Sequence, residues 1–147
     1  MHNLQDKIKK DLEESLRNKE EKKISVLRML IGAIRNQEIS KKISTGDFSD
    51  EEVQKVVASE IKKRKDSIVS YEEAGRNDLV DIEKEEVDVL ENYLPVAMSQ
   101  EELESLVKEE INSSEDKDFG KIMGKVMGRV QGRADGNQVS AVVKKML

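Results

Sequence analysis

The stretch SDEEVQKVVASEIKKRKDSIVSYEEAG, residues 49–75, carries the signals from which the fold can be read. Ser49 followed three residues later by Glu52 is a capping box, and Phe48 with Val53 occupies the positions of a hydrophobic staple. Val53, Val56, Val57, Ile61 and Ile68 then recur at the three- and four-residue steps of one helix face, and Gly75 supplies a stop. No strand-like alternation competes with this period.

The same signals extend in both directions. Leu4, Ile8, Leu12 and Leu16 step along an amphipathic first helix, and Leu27, Leu30, Ile31 and Ile34 mark a second from near Ile24 to near Ile43. Asn77 or Asp78 is expected to cap a fourth helix bearing Leu79, Ile82, Val87, Leu90 and Leu94. It ends before Pro95, because a residue preceding proline is driven out of the helical region. Beyond the proline, Ser99 with Glu102 is a second capping box and Met98 with Leu103 a second staple, opening a fifth helix with Leu106, Val107 and Ile111. Asp118 can cap a sixth helix, and Asp135 with Gln138 a seventh carrying Val139, Val142, Val143 and Met146. The expectation is an all-α chain, with a four-helix N-terminal bundle at residues 1–94 and a three-helix C-terminal unit at 95–147.

Composition narrows the functions available. Of 147 residues 39% are charged and only four are aromatic, so the core must be aliphatic. The absence of cysteine removes thiol nucleophiles, thiolate metal sites and disulfides, and the single His2, read as an exposed terminal residue, cannot form an imidazole site with itself. Paired carboxylates such as Glu51 with Glu52, or Glu85 with Glu86, are adjacent in sequence and diverge on a helix. No catalytic residue, metal site or cofactor is expected. With no apolar leader and no window long enough for a membrane span, the reading is a cytoplasmic protein with no membrane partner. The run EIKKRKD at 60–66 reads as a solvated face bracketed by Glu60 and Asp66, and Phe48, Tyr71 and Tyr93 as core or rim residues.

Charge points to the C-terminal unit. Residues 96–118 hold eight acidic and two basic side chains, a net −6, whereas residues 119–147 hold six basic and one acidic, a net +5. In the second block, FGKIMGKVMGRVQGRADG at 119–136 places glycine at 120, 124, 128, 132 and 136, and Lys121, Lys125, Arg129 and Arg133 follow the first four. A four-residue step overshoots a helical turn by about 40°, so glycines and cations form two slanted stripes about 100° apart, with Ile122, Met123, Val126, Met127 and Val130 opposite. The helix is three-sided: apolar, bare and basic. Gly132 is expected as its left-handed C-cap and Gly136 in the turn to the next helix. The bare side, with Gly124 and Gly128 at its centre, suits either close approach of another helix or a phosphate backbone held by the flanking cations. A P-loop does not fit, since three rather than four residues separate the glycines and Val126 follows Lys125.

The segments ENYLP at 91–95, DFGKIMGKVM at 118–127, GRADG at 132–136 and the closing V-x-x-V-V-x-x-x-L at 139–147 resemble the GatB/YqeY family, specifically its small stand-alone YqeY-type members. LRMLIGAI at 27–34 and RNDL at 76–79 resemble that family's N-terminal part. The resemblance implies a helical bundle followed by a three-helix unit similar to the tail of the B subunit of the glutamine-dependent Asp-tRNA/Glu-tRNA amidotransferase, where that domain helps hold tRNA. It implies tRNA binding at Lys121, Gly124, Lys125, Gly128, Arg129 and Arg133. Carbon–nitrogen ligase activity with glutamine as amido-N-donor attaches by family association only, because the catalytic core and amidase subunit have no counterpart in these 147 residues. The alternative is a helical interaction module that docks on an amidotransferase or another translation component.

Overall fold

A computed structural model describes residues 3–147; the reading of His2 lies outside the described residues. The chain divides between Leu94 and Pro95 into two compact units. The first contains α1 (Leu4–Arg17), α2 (Glu21–Ser40), α3 (Asp50–Glu73) and α4 (Asn77–Glu91); the second contains α5 (Gln100–Ser113), α6 (Phe119–Val130) and α7 (Gly136–Met146). No strand occurs among the described residues, so the class is all-α.

The helix starts follow the caps. Ser49 accepts from the Glu52 amide at 3.2 Å and Ser99 from the Glu102 amide at 3.1 Å, while Phe48 and Val53 are buried as a staple requires. Only Asp135 and Gln138 complete the reciprocal box, because the Glu52 and Glu102 carboxylates turn instead to Lys41 and Arg133. The fourth helix departs from expectation. Arg76 is its cap residue and gives no side-chain cap, and the Asp78 carboxylate is held by the Arg76 guanidinium at 3.1 Å.

The ends of α2 differ from expectation. α2 stops at Ser40, short of Ile43, and begins at Glu21, ahead of Ile24. At its C-terminus Lys42 is left-handed at φ 57°, and the amides of Lys42 and Ile43 return to the carbonyls of Ile39 and Glu38. That is a Schellman turn, repeated after α1 with Lys19 at φ 56° and after α3 with Gly75 at φ 71°. Gly75 was legible as a stop; a lysine in the same conformation was not, since non-glycine residues adopt it uncommonly.

In the first unit the buried core includes Ile8, Leu27, Leu30, Val53, Val57 and Leu90. Leu16, the last step of the α1 stripe, is exposed because a four-residue repeat drifts off the core-facing side. Arg64 corrects the reading of 60–66 as wholly solvated. Lys62, Lys63 and Lys65 are exposed, but Arg64 lies three residues after Ile61 and four before Ile68, on the apolar face, and is only 7% exposed. Its guanidinium donates to Glu86 at 3.1 Å and to the Glu60 carbonyl at 2.9 Å, so the buried charge is compensated. Glu85 points elsewhere, to Lys22.

Tyr93, just beyond α4, ties this unit together: its hydroxyl donates to Asp11 of α1 at 2.6 Å. Burial, reinforced by the Asp11 hydrogen bond and charge, holds the phenol above its ordinary value of 10.0. The folded protein therefore keeps a proton that the unfolded chain releases, and this contribution is intact below pH 10 and lost as pH rises above it. In urea titrations from about pH 8 to about pH 11, Tyr93→Phe is expected to show a shallower alkaline loss of stability than the parent.

Candidate nucleic-acid interface

The C-terminal unit buries Leu103, Leu106 and Val107 of α5, Ile122, Val126 and Val130 of α6, and Val139, Val142 and Val143 of α7. Asp118 starts α6 by accepting from the Lys121 amide at 3.2 Å. The apolar triplet Ile122, Val126 and Val130 faces the core and fixes the rotation of the helix about its axis. Gly120, Gly124 and Gly128 consequently face solvent.

This decides one of the two roles left open for the glycines. A Cβ placed at Gly124 or Gly128 would have no heavy atom within 4 Å, and one at Gly120 would meet only the Asp118 carboxylate at 3.3 Å. They do not admit another helix of the C-terminal unit. The lower rungs also differ from expectation: the left-handed C-cap is Gln131 at φ 49°, with Gly132 continuing at φ 79°, and Gly136 is the first residue of α7 rather than a turn residue.

The basic stripe is brought together along one flank of α6, where α5 and its following loop meet it with carboxylates. Lys121 pairs with Asp116 at 2.6 Å, Arg129 with Glu109 and Glu110 at 3.0 and 3.1 Å, and Arg133 with Glu102 at 2.9 Å. Partner numbers fall as α6 numbers rise, as in an antiparallel helix pair. The Lys121 hydrogen bond, aided by the Asp118 amide, holds the Asp116 carboxyl below its usual range. The hydrogen bonds that Arg129 donates to Glu109 and then Glu110 raise its guanidinium above its own usual range. Arg133 also donates to the Val96 carbonyl at 2.9 Å, while its own carbonyl accepts from the Met98 amide at 2.8 Å, so it clasps the segment leading into α5.

Lys125 differs from the other three. Its ammonium donates to the hydroxyl of Ser114 at 3.0 Å, a neutral partner, and it lies between Gly124 and Gly128 in height on the helix. The sequence reading missed the carboxylates Glu102, Glu109, Glu110 and Asp116 as partners of the stripe. The signal was available: a net −6 block directly preceding a net +5 block within one small unit calls for internal neutralisation. On the other flank Phe119 and Met127 are each 38% exposed, and Lys144 lies over the Phe119 ring at 5.8 Å from its centre. Among the described residues no cluster of His, Cys, Asp or Glu is arranged to hold a metal ion.

Because Gly124 has open space and ordinary helical backbone, Gly124→Ala is expected to raise stability by about 0.5–1 kcal/mol, measured as a higher thermal midpoint. A lower midpoint would mean that the strip is packed against protein.

Comparison with known proteins adds three observations. The family described as Yqey-like protein matches residues 5–147. The chain is similar to altered inheritance of mitochondria protein 41, mitochondrial, of Kluyveromyces lactis, at 36% identity over 103 residues, covering 68% of this chain and 54% of that one. It is also similar to the proteins of the same name from Vanderwaltozyma polyspora, at 30% over 114 residues (76% and 60%), and Clavispora lusitaniae, at 30% over 102 residues (67% and 58%). The chain thus spans between half and two thirds of the length of these curated relatives. They are mitochondrial by name, so residence in the cytoplasm does not follow for this chain. No helix of the described residues is long and apolar enough to cross a membrane.

Proposed function

The chain belongs to the Yqey-like protein family, and we propose that it is an accessory tRNA-binding protein that lays α6 against a phosphate backbone. The carrying observation is the uncovered backbone at Gly124 and Gly128 beside Lys125, the one cation of the stripe not paired with a carboxylate. A face without side chains lets a sugar–phosphate chain approach closely, and an ammonium at its edge then meets phosphate oxygens. Lys121 is the second contact. Its pair with Asp116 is exposed on both sides, and exposed pairs are worth only about 0.2–1 kcal/mol, so a phosphate can replace the carboxylate. Arg129 contributes after giving up Glu109, whereas Arg133 holds the start of α5 and acts on the fold. The resemblance of this block to the tail of the amidotransferase B subunit supports the same reading; amidation chemistry is not part of it.

With two or three phosphate contacts, the logarithm of tRNA affinity should fall against the logarithm of salt with a slope of roughly −1.5 to −3 in gel-shift titrations. Lys125→Ala is expected to weaken binding and make that slope shallower by about one, while Arg133→Ala acts mainly through a lower thermal midpoint. Binding unaltered by Lys125→Glu combined with Arg129→Glu, or no preference for tRNA at low salt, would sink the proposal.

A second reading rests on Phe119 and Met127, the apolar side chains flanking the glycine strip. They suit a partner helix, and the module would then dock on an amidotransferase or another translation protein. Stoichiometric recovery of such a protein after nuclease treatment, lost in Met127→Glu but kept in Lys125→Glu, would favour docking over tRNA.

A further inference from the structure

In the first unit, α1, α2 and the loop after α2 enclose a cavity of about 110 Å³ whose polar groups are unusual for its surroundings. Gln5 is 7% exposed, and its Oε1 has no hydrogen-bond partner among the described residues. Its Nε2 donates to Glu38 Oε2 at 3.2 Å. Exchanging the amide ends would set oxygen against carboxylate, so the orientation is determined by its neighbour. Glu38 is 2% exposed. Its two hydrogen bonds, from Gln5 and from the Gly46 amide at 2.8 Å, fall on the same oxygen, leaving Oε1 for another donor. None of the ion pairs of the described residues includes Glu38.

A buried carboxylate with no cation within 4 Å and a buried carbonyl with no donor call for the same thing, a positively charged hydrogen-bond donor. Water can satisfy Gln5 Oε1 but does not offset the Glu38 charge. We propose that this cavity binds a small primary ammonium compound of the ω-amino acid type, with its ammonium between Gln5 and Glu38. The divergent donors of an ammonium can reach oxygens on two different side chains. A guanidinium fork prefers both oxygens of one carboxylate, and Glu38 Oε2 already carries two donors. Ile8, Ile31 and Ile34 provide apolar walls for a short methylene chain, and the exposed Lys9 and Arg35, which line the same cavity, favour a carboxylate at the outer end. The volume admits a chain of a few heavy atoms and is below that of drug-sized pockets. All residues of this site belong to the first unit.

The Gly46 amide, bonded to Glu38, is the natural reporter. Nitrogen–proton correlation spectra of the full chain are expected to show saturable shifts of Gly46 and of the Gln5 side-chain amide with 5-aminopentanoate. Pentylammonium should give the same shifts at higher concentration, and pentanoate none. Glu38→Gln should weaken 5-aminopentanoate by at least about tenfold, since hydrogen bonds to charged groups are among the stronger ones. Should that variant fail to fold, Arg35→Ala on the exposed rim serves instead: it should weaken 5-aminopentanoate about two- to fivefold and leave pentylammonium unchanged. The proposal is overturned if neither amine produces a saturable shift, if pentanoate shifts Gly46 as much as the amines do, or if Arg35→Ala affects both amines equally.

Discussion

The C-terminal unit depends on the burial of Ile122, Val126 and Val130 on one side of α6. That side faces inward, and the rotation it fixes decides where the polar stripes lie. Glu102, Glu109, Glu110 and Asp116 then meet Arg133, Arg129 and Lys121 along one flank. What remains on the outside is the stripe with no side chains. Apart from Glu110, which is partly buried, the members of these pairs are exposed and each pair is individually weak, so they add little to the burial that orients the helix. A surface that lacks side chains is ordinarily a liability for a helix, since each interior glycine costs roughly 0.5–1 kcal/mol relative to alanine. Here the cost falls at Gly124 and Gly128, where an added Cβ would meet open space.

The first unit manages charge differently. Arg64 is placed by helical period on the buried face, and there Glu86 and the Glu60 carbonyl satisfy it. Glu38 is equally buried but is met only by neutral donors. Within one small core, then, one buried charge is met by an ion pair and the other within hydrogen-bonding distance by amides alone.

Much of the fold was legible because helix starts are marked by short polar caps that act within three residues: Ser49, Ser99, Asp118 and Asp135 all cap as read. Helix ends were less legible. Lys19, Lys42 and Gln131 take left-handed conformations that glycine would have announced, and Arg76 begins α4 without a capping side chain. In the candidate interface the three-sided character of α6 followed from the sequence, as did its outline of glycines and cations. The partners of those cations did not, because a pairing such as Arg129 with Glu109 spans a loop and two helix rotations that no local pattern specifies.

By itself, then, the amino-acid sequence determined which segments are helical and which side of each helix is apolar, since period and caps are local properties of the chain. Tertiary structure alone decided that Gly124 and Gly128 face open space, that Lys125 is left with a hydroxyl while its neighbours find carboxylates, and that Gln5 and Glu38 share a cavity. Those outcomes depend on distances between helices remote in sequence, and only packing fixes such distances.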